Sequence, residues 1–221
     1  MLKELLAILL IVAGYKVATM ISERNPKFQP LVVSVVLVWV SWWLLSNDWE
    51  AFAAGGAWIS YWLGPATVAL AVPLAKQIKE FANIWRGVFL GIAAGCAASI
   101  LSVLLIFACF GFDKSLMYSM LSKSVTTPIA LELANSVGGI PALAALFTAL
   151  TGFIGTMFAQ KVLAWVGVTD DRAIGVAVGT STHAIGTASL NRISQAQMAA
   201  SSVAMIVAGV VTSLYLIPFS L

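Results

Sequence analysis

Apolar residues run along this chain in long stretches broken by short polar punctuation, and the lengths of those stretches set the elements they predict. At about 20 apolar residues per membrane-spanning helix, the runs are Leu2–Met20, Pro30–Leu45, Trp49–Ala75, Trp85–Phe110, Leu116–Ala134, Pro141–Val166, Ala173–Leu190 and Ala199–Leu221. Asn25-Pro26, Asn47-Asp48, Gly111-Phe112-Asp113, Gly138-Gly139-Ile140-Pro141 and Thr169-Asp170-Asp171 separate them, residue types that end one helix or cap the next. Pro30 and Pro141 suit a first helical turn, where their missing N–H costs nothing. The N-terminal run has a superficial likeness to a signal peptide, but Glu4, Lys16 and the lack of a small-x-small cleavage site favour a first membrane segment.

Three runs carry helix breakers. Trp49–Ala75 is interrupted at Gly64-Pro65 and Pro73; Leu116–Ala134 contains Ser124-Val125-Thr126-Thr127-Pro128; Ala173–Leu190 contains Gly179-Thr180-Ser181-Thr182-His183-Ala184-Ile185-Gly186-Thr187. Irregular backbone at membrane depth survives only where protein or a wet cavity satisfies it, so each break is a candidate site. The expected fold is an all-α polytopic membrane protein with six to eight segments and discontinuous helices. Eight segments cross if every run spans; six cross if Trp49–Ala75 and Ala173–Leu190 are re-entrant.

A repeat is also visible. Ile92-Ala93-Ala94-Gly95-Cys96-Ala97-Ala98-Ser99 aligns with Ile206-Val207-Ala208-Gly209-Val210-Val211-Thr212-Ser213, four of the eight positions being identical. The same offset places Ala69–Leu74 on His183–Ala188, dividing the chain into halves near 1–110 and 115–221. Duplication with broken helices is a mark of secondary transporters.

Composition agrees with a lipid environment. Of 221 residues, 61% are hydrophobic and 10% charged, against roughly 45–50% and about 25% in soluble domains. Mean hydropathy is +0.98. The net charge of +3 comes from scattered Lys and Arg rather than a cluster that would grip a phosphate backbone, which argues against nucleic acid. Lys76, Lys79 and Arg86 form the densest positive loop, and Arg24 with Lys27 the next, a topology signal. Cys96 and Cys109, 13 residues apart in one run, face nearly opposite sides of a helix and cannot pair; with His183 the sole histidine, no metal-ligand set and no cofactor motif exist. Most of the eight tryptophans lie near segment ends, as interfacial anchors do. Gly87, Gly91, Gly95 and Ser99 form a small-xxx-small face expected to pack helices.

The chemistry-bearing residues gather at the breaks. Ser124, Thr126 and Thr127 precede Pro128, so either a helix restarts there and presents free N–H groups beside three hydroxyls, or Pro128 kinks a continuous helix whose hydroxyls bond back to carbonyls. The first case is a small anion site without a formal charge. Thr180, Ser181, Thr182, His183 and Thr187 surround Gly179 and Gly186 in the same manner, and His183 is either a satisfied core residue or a donor and proton relay. Glu132, one turn past Pro128, is either a proton-coupling carboxyl in lipid or a group near a water-exposed loop. The substrate-binding candidates are Ser124, Thr126, Thr127, Pro128, Thr180, Ser181, His183, Gly186 and Thr187, with Thr67 and Asn135 beside them; the proton-coupling candidates are Glu132 and His183. No acid adjoins His183 to orient it toward a nucleophile, so enzymatic activity is not expected.

Lys123-Ser124-Val125-Thr126-Thr127-Pro128-Ile129-Ala130, Gly138-Gly139-Ile140-Pro141-Ala142 and the Gly179–Ala188 stretch resemble the LrgB/CidB family. The resemblance runs along nearly the whole chain, including Gly64–Leu74, where the family often has a polar residue and this chain has Gly64. It implies a multi-pass protein of the cytoplasmic membrane, described as antiholin-like and linked to murein hydrolase export and autolysis. It also implies a carrier, because the family is similar to the C-terminal part of the plastid glycolate/glycerate translocator. Bacterial members paired with a small LrgA/CidA-type membrane protein are linked to pyruvate and other short monocarboxylates. Expected partners are therefore the lipid bilayer, a small carboxylate, a second copy of the chain, and a protein of LrgA/CidA type. Duplication and convergent hydroxyls favour the carrier, since a holin-type lesion needs only small oligomerising helices.

Overall fold

The computed structural model describes residues 2–25, 30–62, 65, 68, 84–191 and 193–220. Among them are nine α-helices and no strand: α1 (Leu2–Arg24), α2 (Pro30–Leu45), α3 (Trp49–Tyr61), α4 (Trp85–Phe110), α5 (Lys114–Leu121), α6 (Thr127–Ser136), α7 (Pro141–Trp165), α8 (Asp171–Leu190) and α9 (Gln195–Leu216), the last followed by a 3₁₀ turn, Ile217–Phe219. Four helices, α1, α4, α7 and α9 with its 3₁₀ turn, are long and apolar enough to cross a membrane; α2 is apolar but shorter. Large side chains such as Leu9, Val35, Trp39, Leu105 and Phe158 are exposed on these helices. Water would not tolerate such a surface, whereas lipid does. The chain is an all-helical polytopic membrane protein.

The chain forms two compact units, Met1–Val68 and Ala69–Leu221. In the first, α1 packs on α2 and α3. A methyl group at Gly55 would lie 2.7 Å from the Glu4 carbonyl oxygen, so the α1–α3 approach depends on glycine there. Trp42, expected near the interface, is instead the centre of this unit: it is fully buried, its indole N–H donates to the Asp48 carbonyl at 3.1 Å, and its ring lies 5.2 Å from that of Phe52. Asp48 caps α3 by accepting from the Ala51 N–H and pairs with Lys3 at 2.8 Å. The Lys3 hydrogen bond, and after it the Ala51 N–H, hold the Asp48 carboxyl below the usual carboxylate range. Gly64, Thr67 and Pro73 lie outside the described residues, and with them the break expected in Trp49–Ala75.

In the second unit α8 is central, packing against α9, α7 and α4. Its contact with α9 is close because Gly175 and Gly179 carry no side chain: a methyl at either would collide with the backbone of Gln197 or Ser201. On the α7 side Gly152 and Gly155 admit Ile185 and Thr182 in the same way. Leu116–Ala134 is not a span. Gly111 closes α4 in the left-handed region, Asp113 caps the eight-residue α5, and the chain turns again before the ten-residue α6. Neither helix, at about 12 and 15 Å, crosses a bilayer. Ser119 of α5 ties this hairpin to the start of α7 by accepting from the Ile140 N–H at 2.7 Å.

Candidate functional site

Both described breaks are present, each in its own form. Between Leu121 and Thr127 the chain leaves helical geometry, closed by the Ser122 hydroxyl donating to the Ala130 carbonyl at 3.3 Å. The helix then restarts with Thr126 in the capping position and Pro128 in the first turn, the restarting alternative rather than the kink. The Thr126 hydroxyl does not cap α6, and its buried oxygen has no protein partner. In α8 the break is a single residue: His183 has φ 44° and ψ −140°, a conformation L-residues rarely adopt. His183 is buried, and its Nε2 lies 2.9 Å from the Thr148 carbonyl oxygen of α7.

A cleft of ≈ 810 Å³ lies between α4, α8 and the 122–126 turn, with Thr151 of α7 on its wall. Its deep end is polar. The half-buried Lys123 ammonium donates to the Ser99 hydroxyl at 2.7 Å, and Ser99 Oγ is 2.9 Å from Ser124 Oγ. Since Ser99 accepts from a cation, its own proton is free for Ser124, which leaves the Ser124 proton available to an acceptor in the cleft. Ser99 lies about 21 Å along α4 from Trp85, within the middle of a 26-residue helix. The ammonium therefore stands beside the middle of a helix long and apolar enough to cross a membrane. Among the described residues no carboxylate pairs with it.

The rest of the cleft grades from polar to apolar and back. Thr180 and Ser181 line it, their hydroxyl protons occupied by the Val176 and Ala177 carbonyls at 2.7 Å each, so their oxygens remain acceptors. Gly87, Gly91, Val88, Val176 and Ala177 form an apolar stretch, and Asp170 with Arg172 stands at the start of α8, about 12 Å from Thr180 along that helix. The small-xxx-small face is not a helix-packing seam over its first half: a methyl at Gly87 or Gly91 would meet nothing within 4 Å, because these residues floor the cleft. Only Gly95 is in contact, 3.0 Å from Thr180 Cγ2 to a methyl placed there.

The expected site residues separate into two groups. Ser124, Thr180 and Ser181 share the cleft. Thr182, His183, Gly186 and Thr187 are buried between α8 and its neighbours: the Thr187 hydroxyl donates to the His183 carbonyl at 2.8 Å and lies 2.7 Å from Ser201 Oγ of α9, and Thr182 fills the space beside Gly186. Thr126 is buried, and Thr127 and Pro128 are half-buried in the first turn of α6; none of the three is on the cleft wall. Glu132 and Asn135 are exposed on α6 away from the cleft, and Thr67 lies outside the described residues. Of the hydroxyls expected around the Pro128 restart only Ser124 reaches the cleft, where Lys123 beside it and Arg172 at the start of α8 bring formal positive charge. In sequence this charge shows only as a lysine directly preceding Ser124 in a segment whose neighbours are apolar or hydroxylic.

Residues 11–221 match the profile of the LrgB-like family. The chain is 34% identical over 206 residues to the antiholin-like protein LrgB of Bacillus cereus (strain B4264), covering 90% of this chain and 88% of the relative. It is 32% identical over 217 residues to the uncharacterized protein YxaC of Bacillus subtilis (strain 168), covering 96% and 93%. No solved structure matches it.

Proposed function

Because the chain belongs to the LrgB-like family, we propose that it is a non-enzymatic carrier that moves a small monocarboxylate, such as glycolate, glycerate or pyruvate, across the cytoplasmic membrane. The observation that supports this reading is the Lys123 ammonium, which has no carboxylate partner among the described residues and is held in a cleft by Ser99, itself bonded to Ser124, beside the middle of α4. Intramembrane ionisable groups mark solute pathways far more often than they serve packing. A carboxylate there gains the ammonium and the Ser124 proton, two charge-assisted hydrogen bonds, and the glycine-floored stretch gives it a path toward Arg172. Proteoliposomes containing the full chain, with or without a coexpressed protein of LrgA/CidA type, should exchange internal for external radiolabelled pyruvate, glycolate or glycerate, and Lys123→Gln should abolish that exchange.

The names of several relatives, antiholin-like protein LrgB, favour a second reading, in which the chain modulates murein hydrolase export and autolysis, as the family resemblance implies. On that reading Lys123→Gln leaves autolysis rates in cells unchanged and no carboxylate exchanges in liposomes.

A further inference from the structure

We infer that Lys123 is the group that couples proton movement to carboxylate movement, in place of Glu132 or His183; the inference rests on the carrier reading above. Its basis is which groups can change charge where the solute would bind. On the walls around Lys123, α4 offers Ser99 and glycines, α7 offers Thr151, and α8 offers Thr180 and Ser181, none of which titrates. Among the described residues the other charged groups on the cleft wall are Asp170 and Arg172 at the start of α8. Glu132 of α6 is exposed and off the cleft, and His183 is committed to the Thr148 carbonyl between α7 and α8. Among the described residues Lys123 is left as the titrating side chain beside Ser99 and Ser124.

The cycle balances in charge. A carboxylate beside the ammonium makes a net-neutral pair, which crosses a low-dielectric region far more readily than either ion alone. Once the carboxylate has left, the bare ammonium is the costly species. Release of its proton from Nζ to water on the same side leaves a neutral amine, whose lone pair can accept from the Ser99 hydroxyl; the 2.7 Å contact persists with donor and acceptor exchanged. The empty carrier returns uncharged, Nζ takes a proton from the opposite side, and one carboxylate and one proton have moved together. Exchange of one carboxylate for another needs no deprotonation.

Arginine tests this, because it retains the cation and cannot give up its proton in a protein. Lys123→Arg in liposomes should exchange labelled pyruvate, glycolate or glycerate to within about tenfold of wild type, allowing for the altered fork geometry, while accumulation driven by a pH gradient falls to the level of empty liposomes. Accumulation at wild-type rates would overturn the inference. A guanidinium too large for the cleft would remove exchange as well, so a second variant is needed. Lys123→Cys, in a background of Cys96→Ala and Cys109→Ala, is alkylated with bromoethylamine to restore an amine of nearly the same reach and lower basicity. Exchange should return and the pH profile of net uptake should move to lower pH; an unmoved profile, or no return of exchange, would overturn the assignment. A wild-type protein that exchanges none of the three acids, with and without its partner, would remove the carrier reading and this inference with it, a result distinct from all of these.

Discussion

At His183 the ordinary ranking of alanine over glycine in a helix should invert. Glycine in a helix interior is about 1 kcal/mol worse than alanine, and α8 runs as helix on both sides of this residue. With φ 44° and ψ −140°, however, a β-carbon at position 183 is strained, a condition that costs of order 1–3 kcal/mol. His183→Ala and His183→Gly both lose the buried ring and its contact with the Thr148 carbonyl, so these losses cancel in the comparison. What remains is the strain relieved in the glycine variant, about 1–3 kcal/mol, less glycine's own penalty of about 1 kcal/mol, so glycine should be the more stable by about 1 kcal/mol, a several-fold difference in the folded-to-unfolded ratio. Unfolding of the two purified variants in detergent, titrated with SDS and followed by circular dichroism, measures the difference directly. An alanine variant equal to or more stable than the glycine variant would mean that position 183 relaxes to ordinary helix and that the kink is not imposed by its surroundings.

Thr187→Val should cost about 0.6–2 kcal/mol by leaving the buried Ser201 hydroxyl without its partner, and adding Ser201→Ala should recover most of it in a double-mutant cycle, with carboxylate exchange unchanged in both. Gly179→Ala should lower thermal stability in detergent because its methyl would collide with the Ser201 carbonyl, whereas Gly91→Ala should be silent and Gly91→Trp should block uptake without loss of folding, since that position opens on the cleft. The Asp48 carboxyl is held below the usual range in the folded chain, so its stabilisation of the first unit is complete above the unfolded value near 3.9 and is lost as pH falls through the folded value. Acid unfolding followed by circular dichroism should show that loss in wild type and not in Asp48→Asn.

The helices were legible because length and breaker chemistry act locally. Pro141 and the Asp48, Asp113 and Asp170 caps stand where elements begin, and Ser124–Pro128 marked an interruption that the structure contains. The site was legible only in outline, because hydroxyls cannot reveal from composition which way they face. Thr180, Ser181, Thr182 and Thr187 all bond back to carbonyls of the preceding turn, so they are polar in name only; Thr180 and Thr187, seven residues apart, would share a face of an unbroken helix, yet with the break at His183 between them Thr180 lines the cleft and Thr187 faces Ser201. Glycine spacing misled for a related reason. Gly87–Gly91 and Gly175–Gly179 have the same i, i+4 pattern, yet the first pair floors an open cleft and the second lies against the backbone of α9. Small residues permit close approach; whether a neighbour takes the space is decided by the rest of the fold. In sequence Lys123 reads as a loop residue, a lone cation beside a polar turn; only its contact with Ser99 shows that it lies against the middle of α4.

The seam between α8 and α9 bears on how the protein is made. Alone, α8 is not among the helices apolar enough to cross a membrane, with charges at its start and a run of hydroxyls around His183. Its greasy partner α9 begins only four residues further on, at Gln195, and buries Gly175, Gly179 and Thr187 against its own backbone and Ser201. During synthesis α8 has no reason to leave the aqueous channel of the insertion machinery until α9 has been translated. The two can then enter lipid together as a hairpin, and ribosomes stalled within α9 would hold a protein whose cleft has not yet acquired its α8 wall.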